Sequence, residues 1–260
     1  MNKNEKRLLD DERVRMIIES LLQHTPCARF SEIKKDTGLH DQVLARLLDK
    51  LLSVGIINEC EGLRKDYSGY ALTEPFSPIS LRLEVNSEVV ERGEKVVMRH
   101  EVMNYMVNTS IVPIKTARVV LYGDVMWEKP LVLESELTGH KEIKLSLEEC
   151  PNKYCQVTLP LNSSVNYGEK FKWKYEFYMY YFPPEDYFSY HFVNHTIQSK
   201  FSFKGIEDVN VSLKGCREGV EHKIFRRGGK FIIRLDNANE WCVVSLSLIH
   251  ILTLPTNREV

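Results

Sequence analysis

Apolar residues in the first part of the chain recur at the spacing of amphipathic helices. A first helix is predicted to begin after Asp10 and Asp11 and to close at Thr25-Pro26. A short second helix is predicted between Ser31 and Gly38, and a third ends at Gly55. The inward positions are Val14, Ile17, Ile18, Leu21 and Leu22 in the first helix, Ile33 in the second, and Leu44, Leu47, Leu48 and Leu51 in the third.

Two short strands are predicted after the third helix. Ile56 to Cys60 forms the first, Glu61 to Ser68 is a polar turn, and Gly69 to Thr73 returns as the second. Beyond the two-proline junction Glu74-Pro75-Phe76-Ser77-Pro78, the apolar period changes from helical to alternating.

Alternation continues over the rest of the chain, with turn residues between the alternating segments. The predicted strands are 79–85, 95–103, 117–122, 141–147, 155–161, 169–181, 187–192, 197–203, 209–213, 222–225 and 230–235. Many short strands without intervening helices are typical of an antiparallel β-sandwich. We therefore expect a sandwich domain over residues 79–245.

Three short motifs of the N-terminal region resemble the winged helix-turn-helix domains of ArsR/MarR-type prokaryotic transcription regulators. They are Gly38-Leu39, Gly55-Ile56-Ile57 and Tyr70-Ala71-Leu72-Thr73. The resemblance implies a winged helix-turn-helix domain over residues 1–76. The expected fold class is α+β and multidomain, with this domain followed by an antiparallel all-β sandwich.

The same resemblance implies candidate residues for binding double-stranded DNA. In this family the third helix enters the major groove, where Gln42 could pair with adenine and Arg46 with guanine. Phosphate contacts are expected from Lys34 and Lys35 on the second helix and from Arg64 and Lys65 at the wing tip. The lead hypothesis is a DNA-binding transcriptional regulator whose sandwich senses a ligand or mediates assembly, with a homodimer as one expected arrangement.

The charge of the chain favours an alternative. Residues 1–78 hold twelve Lys/Arg and thirteen Asp/Glu, where a DNA-binding domain usually presents a basic face. The whole chain has a formal net charge of −1. The alternative is a non-enzymatic protein-interaction module in which the winged helix docks a protein partner. In both hypotheses, an unidentified ligand or protein at the sandwich is a further expected partner.

Catalytic and metal-binding motifs do not emerge from the sequence. Cys150 and Cys155 lack two further ligands at zinc-knuckle spacing, and His191 and His195 do not lie on a helix. We expect no metal, no cofactor and no enzymatic activity. The basic turn at residues 226–230 is interpreted first as a hairpin tip, with binding of phosphate or an acidic partner as the alternative.

The N-terminal residues 1–8 lack the apolar segment of a secretory signal, and no transmembrane run appears. A cytoplasmic protein with reduced thiols and no membrane partner is therefore expected. Leu246 to Thr256 resembles the in-frame translation of a sequencing adapter. Residues 246–260 are consequently expected to be a non-native tail, so that the true C-terminus lies elsewhere; a genuine final strand is the alternative.

Overall fold

A computed structural model describes residues 8–24, 27–61, 67–73, 76–146, 153–182, 185–206, 208–239 and 242–249. The chain divides into two compact units. Unit 1 comprises Met1–Ile79, Val107–Thr116 and Ser163–Lys170, and unit 2 comprises Ser80–Met106, Ala117–Asn162 and Phe171–Val260.

Unit 1 contains the described helices: α1 (Glu12–Gln23), α2 (Phe30–Thr37) and α3 (Asp41–Ser53). The Asp11 side chain caps α1 by accepting a hydrogen bond from the backbone N–H of Arg13. Gly38 ends α2 in the left-handed conformation, with φ of 64°, and donates its N–H to the Lys34 carbonyl. The apolar stripes that predict the helices are buried against one another in a single cluster.

Fifteen strands are described. They are β1 (Ile57–Glu61), β2 (Ser68–Leu72), β3 (Ile79–Arg92), β4 (Val96–Val107), β5 (Ile114–Tyr122), β6 (Leu131–Ser135), β7 (Gly139–Ile143), β8 (Tyr154–Val165), β9 (Lys170–Tyr181), β10 (Glu185–His191), β11 (Thr196–Lys204), β12 (Asp208–Lys214), β13 (His222–Arg227), β14 (Lys230–Ala238) and β15 (Val243–Ile249).

The strands form several sheets. The largest has eight strands in the order β13-β14-β11-β3-β4-β9-β6-β7. A three-stranded sheet has the order β10-β15-β12, and β1-β2 and β5-β8 form two-stranded sheets. The large sheet is mixed, because β11 runs parallel to β3 on one side and antiparallel to β14 on the other.

The structure corrects the expected fold class. Strands make up 56% of the described residues, which hold only three short helices, so a β-rich fold dominates. A winged helix-turn-helix domain followed by an antiparallel all-β sandwich is therefore the wrong description. The alternating pattern assigns the two faces of a strand, but it contains neither the strand's neighbour nor its direction.

The cysteines correct a second expectation. Cys27 is joined to Cys60 in unit 1, Cys216 is joined to Cys242 in unit 2, and Cys155 is also disulfide-bonded. No described cysteine is a free thiol. Sequence spacing could not reveal these pairs, since the Cα atoms of Cys27 and Cys60 lie 5.9 Å apart despite a separation of 33 residues. Cys150 lies outside the described residues.

Strand β15 contains the described part of the segment that resembles an adapter. It pairs antiparallel with β10 and with β12. Leu246 and Leu248 are fully buried there. The structure thus places residues 243–249 in the middle of a sheet, and residues 250–260 lie outside the described part of the chain.

Candidate functional site

The basic turn at residues 226–230 is a hairpin tip, as predicted. Arg227 and Lys230 are cross-strand partners in the antiparallel pair β13 and β14. Between them, Gly228 and Gly229 have φ values of 59° and 70°. Positive φ at both central residues is characteristic of a type I′ turn, whose twist matches that of the flanking strands. The two glycines therefore fix the register of the whole hairpin.

The two faces of this hairpin differ sharply in chemistry. Phe231, Ile233 and Leu235 of β14 are buried and join the core of unit 2. The intervening positions, including Lys230 and Arg234, are directed to the opposite, outer face of the sheet. The residues of β13 and β11 that pair with these positions lie on the same outer face.

Six cations meet on that outer face, which we call the basic sheet face. Each of its two outer rows crosses β13, β14 and β11, and the rows lie four residues apart, roughly 13 Å. The cations of the basic sheet face are Arg227, Lys230 and Lys204 in one row and Lys223, Arg234 and Lys200 in the other.

Phe225, Ile232 and Ser202 form the row between the cations. Phe225 retains 44% of its exposure, and the Arg234 guanidinium lies 5.4 Å from its ring centroid. This stacking supplies a cation–π attraction and leaves part of the aromatic ring open to solvent. Phe225 thus offers accessible apolar surface at the β13 end of this row, whereas Ser202 on β11 is buried.

Acidic residues lie at the borders of the basic sheet face. Glu84 and Glu88 of β3 lie in register opposite Lys200 and Lys204, and Asp236 follows Arg234 at the next outer position of β14. Lys204 forms an ion pair with Glu88. The hydrogen bond from the Lys204 ammonium holds the pKa of the Glu88 carboxyl below its ordinary value, with further contributions from nearby cations that include Lys230.

The remaining five cations form no ion pair with a described carboxylate. Like charges directly opposite on neighbouring strands destabilise a sheet. Here Arg227 lies opposite Lys230, and Lys223 lies opposite Arg234. The arrangement therefore opposes folding while concentrating positive charge, which suits an anionic partner.

Four of the six candidate DNA-binding residues lie in the described part of unit 1. Gln42 and Arg46 are exposed on α3, and Lys34 and Lys35 are exposed on α2. Lys34 is paired with Asp41, at a distance of 2.7 Å, which reduces its availability to a phosphate. Arg64 and Lys65 lie outside the described residues. DNA binding by these residues stays a prediction.

A buried histidine in unit 2 belongs to the core. His100 is fully buried and is stacked between Phe177 and Phe188, with centroid distances of 5.0 and 4.9 Å. Its ring nitrogens lie 2.8 Å from the Ser87 hydroxyl and 3.0 Å from the Tyr181 hydroxyl. Burial lowers the pKa of His100 to about 3, so the ring is neutral. Without access to solvent, this cluster organises the core.

Sequence reasoning found only part of the basic sheet face. The basic turn at residues 226–230 was a candidate, but Lys200, Lys204, Lys223 and Arg234 were not. These residues join the turn only through strand pairing. The sequence does show lysine or arginine at alternate positions of these strands. It does not show which strands become neighbours, and without that order the cations cannot be assigned to one face.

The described residues show neither a metal-binding cluster nor a membrane-spanning helix. The described residues contain no group of three or more His, Cys, Asp or Glu side chains arranged to hold a metal ion. Among those residues, no helix has both the length and the apolarity needed to cross a membrane.

Comparison with known proteins leaves the family open. No protein-family model matches the chain, and no curated protein matches it significantly. One solved structure with a partly similar backbone is a proposed protease from Parabacteroides distasonis. It is 8% identical with a TM-score of 0.40, and the match covers 66% of this chain and 40% of that chain. So distant a likeness transfers neither fold nor activity.

Proposed function

We propose that this chain is a non-enzymatic interaction protein whose unit 2 binds an acidic partner protein through the basic sheet face. The observation that supports the proposal is the set of like-charged cross-strand neighbours, Arg227 with Lys230 and Lys223 with Arg234. Such pairs oppose folding and would gain most from a partner that carries negative charge.

The centre of the basic sheet face favours protein over nucleic acid. Proteins that bind single-stranded nucleic acid usually present several aromatic rings on which successive bases stack. Phe225 is the single exposed aromatic side chain of the three central residues, and Ile232 and Ser202 complete the row. Carboxylates directed at the two cationic rows and an apolar residue over Phe225 would complement this surface.

The test is binding of the full chain to a fluorescein-labelled acidic peptide, measured by fluorescence anisotropy at low and moderate salt. Lys223→Gln combined with Lys230→Gln removes two cations from the basic sheet face. The matched control combines Lys144→Gln with Lys214→Gln, two exposed lysines of unit 2 outside the face.

We expect salt-sensitive binding that the first variant weakens by about tenfold or more and the control leaves nearly unchanged. Absence of binding at low salt, or equal losses in both variants, would contradict the proposal. A single-stranded oligonucleotide of equal charge is measured in parallel. Tighter binding of the oligonucleotide than of the peptide would overturn the assignment of a protein partner.

The compartment is a related proposal. Disulfides persist in oxidising environments and are rare where the glutathione pool keeps thiols reduced. Because the described cysteines are disulfide-bonded, we propose an oxidising location in place of the cytoplasmic one expected from the N-terminal sequence. Alkylation of the protein in freshly lysed source cells tests this, since labelling of Cys27 and Cys60 before reduction would contradict it.

A further inference from the structure

Strand β13 is the terminal strand of the eight-stranded sheet. Its one hydrogen-bonded neighbour among the described strands is β14, so its other edge has no strand partner within the described part of the chain. All six residues of β13 are exposed. An exposed edge of this kind presents unpaired backbone N–H and C=O groups, which are a template for another strand.

The hairpin register shows which backbone groups are available. A two-residue turn makes its flanking pair, Arg227 and Lys230, the first hydrogen-bonded pair, and bonded and non-bonded pairs then alternate along the ladder. Ile224 and Arg226 belong to non-bonded pairs, so we expect their N–H and C=O groups to point away from β14. These residues are therefore positioned to pair with an added strand.

The middle of β13 is apolar on both faces. Ile224 is 45% exposed and lies opposite Ile233, while Phe225 is 44% exposed and belongs to the basic sheet face. Cations flank this apolar centre, with Lys223 on one side and Arg226 and Arg227 on the other. A strand laid along β13 would place side chains beside both apolar residues and beside the flanking cations.

The charges of this edge select the occupant. A second copy of the chain would bring two sets of Lys223, Arg226 and Arg227 together, and the repulsion disfavours that pairing. Many edge strands are also protected by proline or by a bulge. The register of β13 is regular throughout and its sequence lacks proline, so positive charge is its main protection. An acidic strand is attracted by the same charge.

We infer that β13 binds an extended acidic segment of a partner protein as an additional β-strand. The segment carries apolar residues at its centre, facing Ile224 and Phe225, and carboxylates on either side, facing Lys223, Arg226 and Arg227. This inference rests on the proposed function, to which it adds the mode of binding and the sequence pattern of the partner.

The experiment uses the full chain and the labelled peptide Glu-Asp-Glu-Val-Val-Glu-Asp-Glu with blocked ends. Ile224→Pro removes an outward N–H at a position where an edge strand tolerates proline. Ile224→Ala is the matched control, since it shortens the same side chain and keeps the N–H. We expect Ile224→Pro to weaken binding by about tenfold or more and Ile224→Ala to weaken it much less.

A second measurement keeps the protein unchanged. A peptide methylated on the backbone nitrogens of both central valines retains its charge, but each edge loses its central N–H and gains a bulky methyl group. Strand addition requires this peptide to bind at least about tenfold more weakly than the unmodified one. The methylated peptide tests strand addition even if the Ile224→Pro variant fails to fold. The thermal unfolding curve of that variant shows whether it folds.

Binding to the basic sheet face and strand addition to β13 can be tested separately. If Lys223→Gln with Lys230→Gln loses binding while Ile224→Pro and the methylated peptide bind normally, strand addition is wrong and the basic sheet face remains the binding surface. If the unmodified peptide does not bind at low salt, or if none of these changes alters its binding, both proposals are wrong.

Discussion

The guanidinium of Arg234 lies 5.4 Å from the ring centroid of Phe225, one strand away on the outer face of the large sheet. The same Arg234 is the cross-strand partner of Lys223. A favourable cation–π contact and an unfavourable pair of like charges thus share one side chain. The Phe225 ring is therefore surrounded by positive charge, and one of these charges, Lys223, can be changed without removing the cation–π contact.

Lys223→Glu should stabilise the protein while weakening its binding of an acidic peptide. The substitution replaces a repulsive cross-strand pair by an attractive one, with an expected gain of about 0.5 kcal/mol in the free energy of unfolding. Urea denaturation measures the gain, and anisotropy measures the loss of affinity. Lys214→Glu on β12, outside the basic sheet face, is the control and should change neither quantity greatly. A loss of stability in Lys223→Glu would contradict the repulsion argument.

The fully buried His100 and the half-buried His191 should make stability fall in mild acid. Burial lowers the pKa of His100 to about 3 and that of His191 to about 4, whereas an unfolded histidine titrates near 6.5. Between these values the unfolded state binds more protons, so stability is fully present above pH 6.5 and decreases as pH falls towards 4. Each proton contributes a slope of about 1.4 kcal/mol per pH unit.

Urea denaturation of the His100→Gln variant tests this pH dependence. Glutamine cannot titrate, so the variant should lose one proton's share of the slope between pH 6 and pH 4.5, whatever its absolute stability. The control is His140→Gln, which replaces an exposed histidine. An unchanged slope in the His100 variant would show that His100 is not buried and neutral.

The disulfide between Cys27 and Cys60 should stabilise unit 1 considerably. It closes a loop across a sequence separation of 33 residues, for which the chain-entropy argument gives about 3–4 kcal/mol. Replacing both cysteines by serine should therefore lower the thermal midpoint of the helical circular dichroism signal, since the described helices lie in unit 1. Reducing agent should lower the midpoint of the native protein and leave that signal in the serine variant unchanged.

Gly69 of β2 should not tolerate a side chain. A Cβ atom there would lie 2.2 Å from the Ala28 carbonyl oxygen, within a pair of backbone hydrogen bonds of 2.9 Å between Ala28 and Tyr70. Gly69→Ala is expected to cost about 1–3 kcal/mol of unfolding free energy, because the backbone has to move. Gly93→Ala is the matched control, since its Cβ would meet only an ordinary contact at 3.7 Å. Equal stabilities would contradict the close approach.

The helices, many of the strands and the hairpin of this protein follow from patterns between residues that are close in sequence. Apolar spacing located the helices at Val14 to Leu21 and at Leu44 to Leu51. Alternation located strands such as Ile197–Phe203, and Gly228 with Gly229 predicted the hairpin. These features depend on the period of apolar residues and on backbone preferences, which act between residues close in sequence.

The fold class, the disulfides and the basic sheet face could be established only from the three-dimensional arrangement of the chain. The parallel pairing of β11 with β3, the joining of Cys27 to Cys60 and the row of Arg227, Lys230 and Lys204 all connect residues distant in sequence. Each depends on which strands become neighbours, and in which direction. That choice is made by burial of the whole core, which no local pattern encodes.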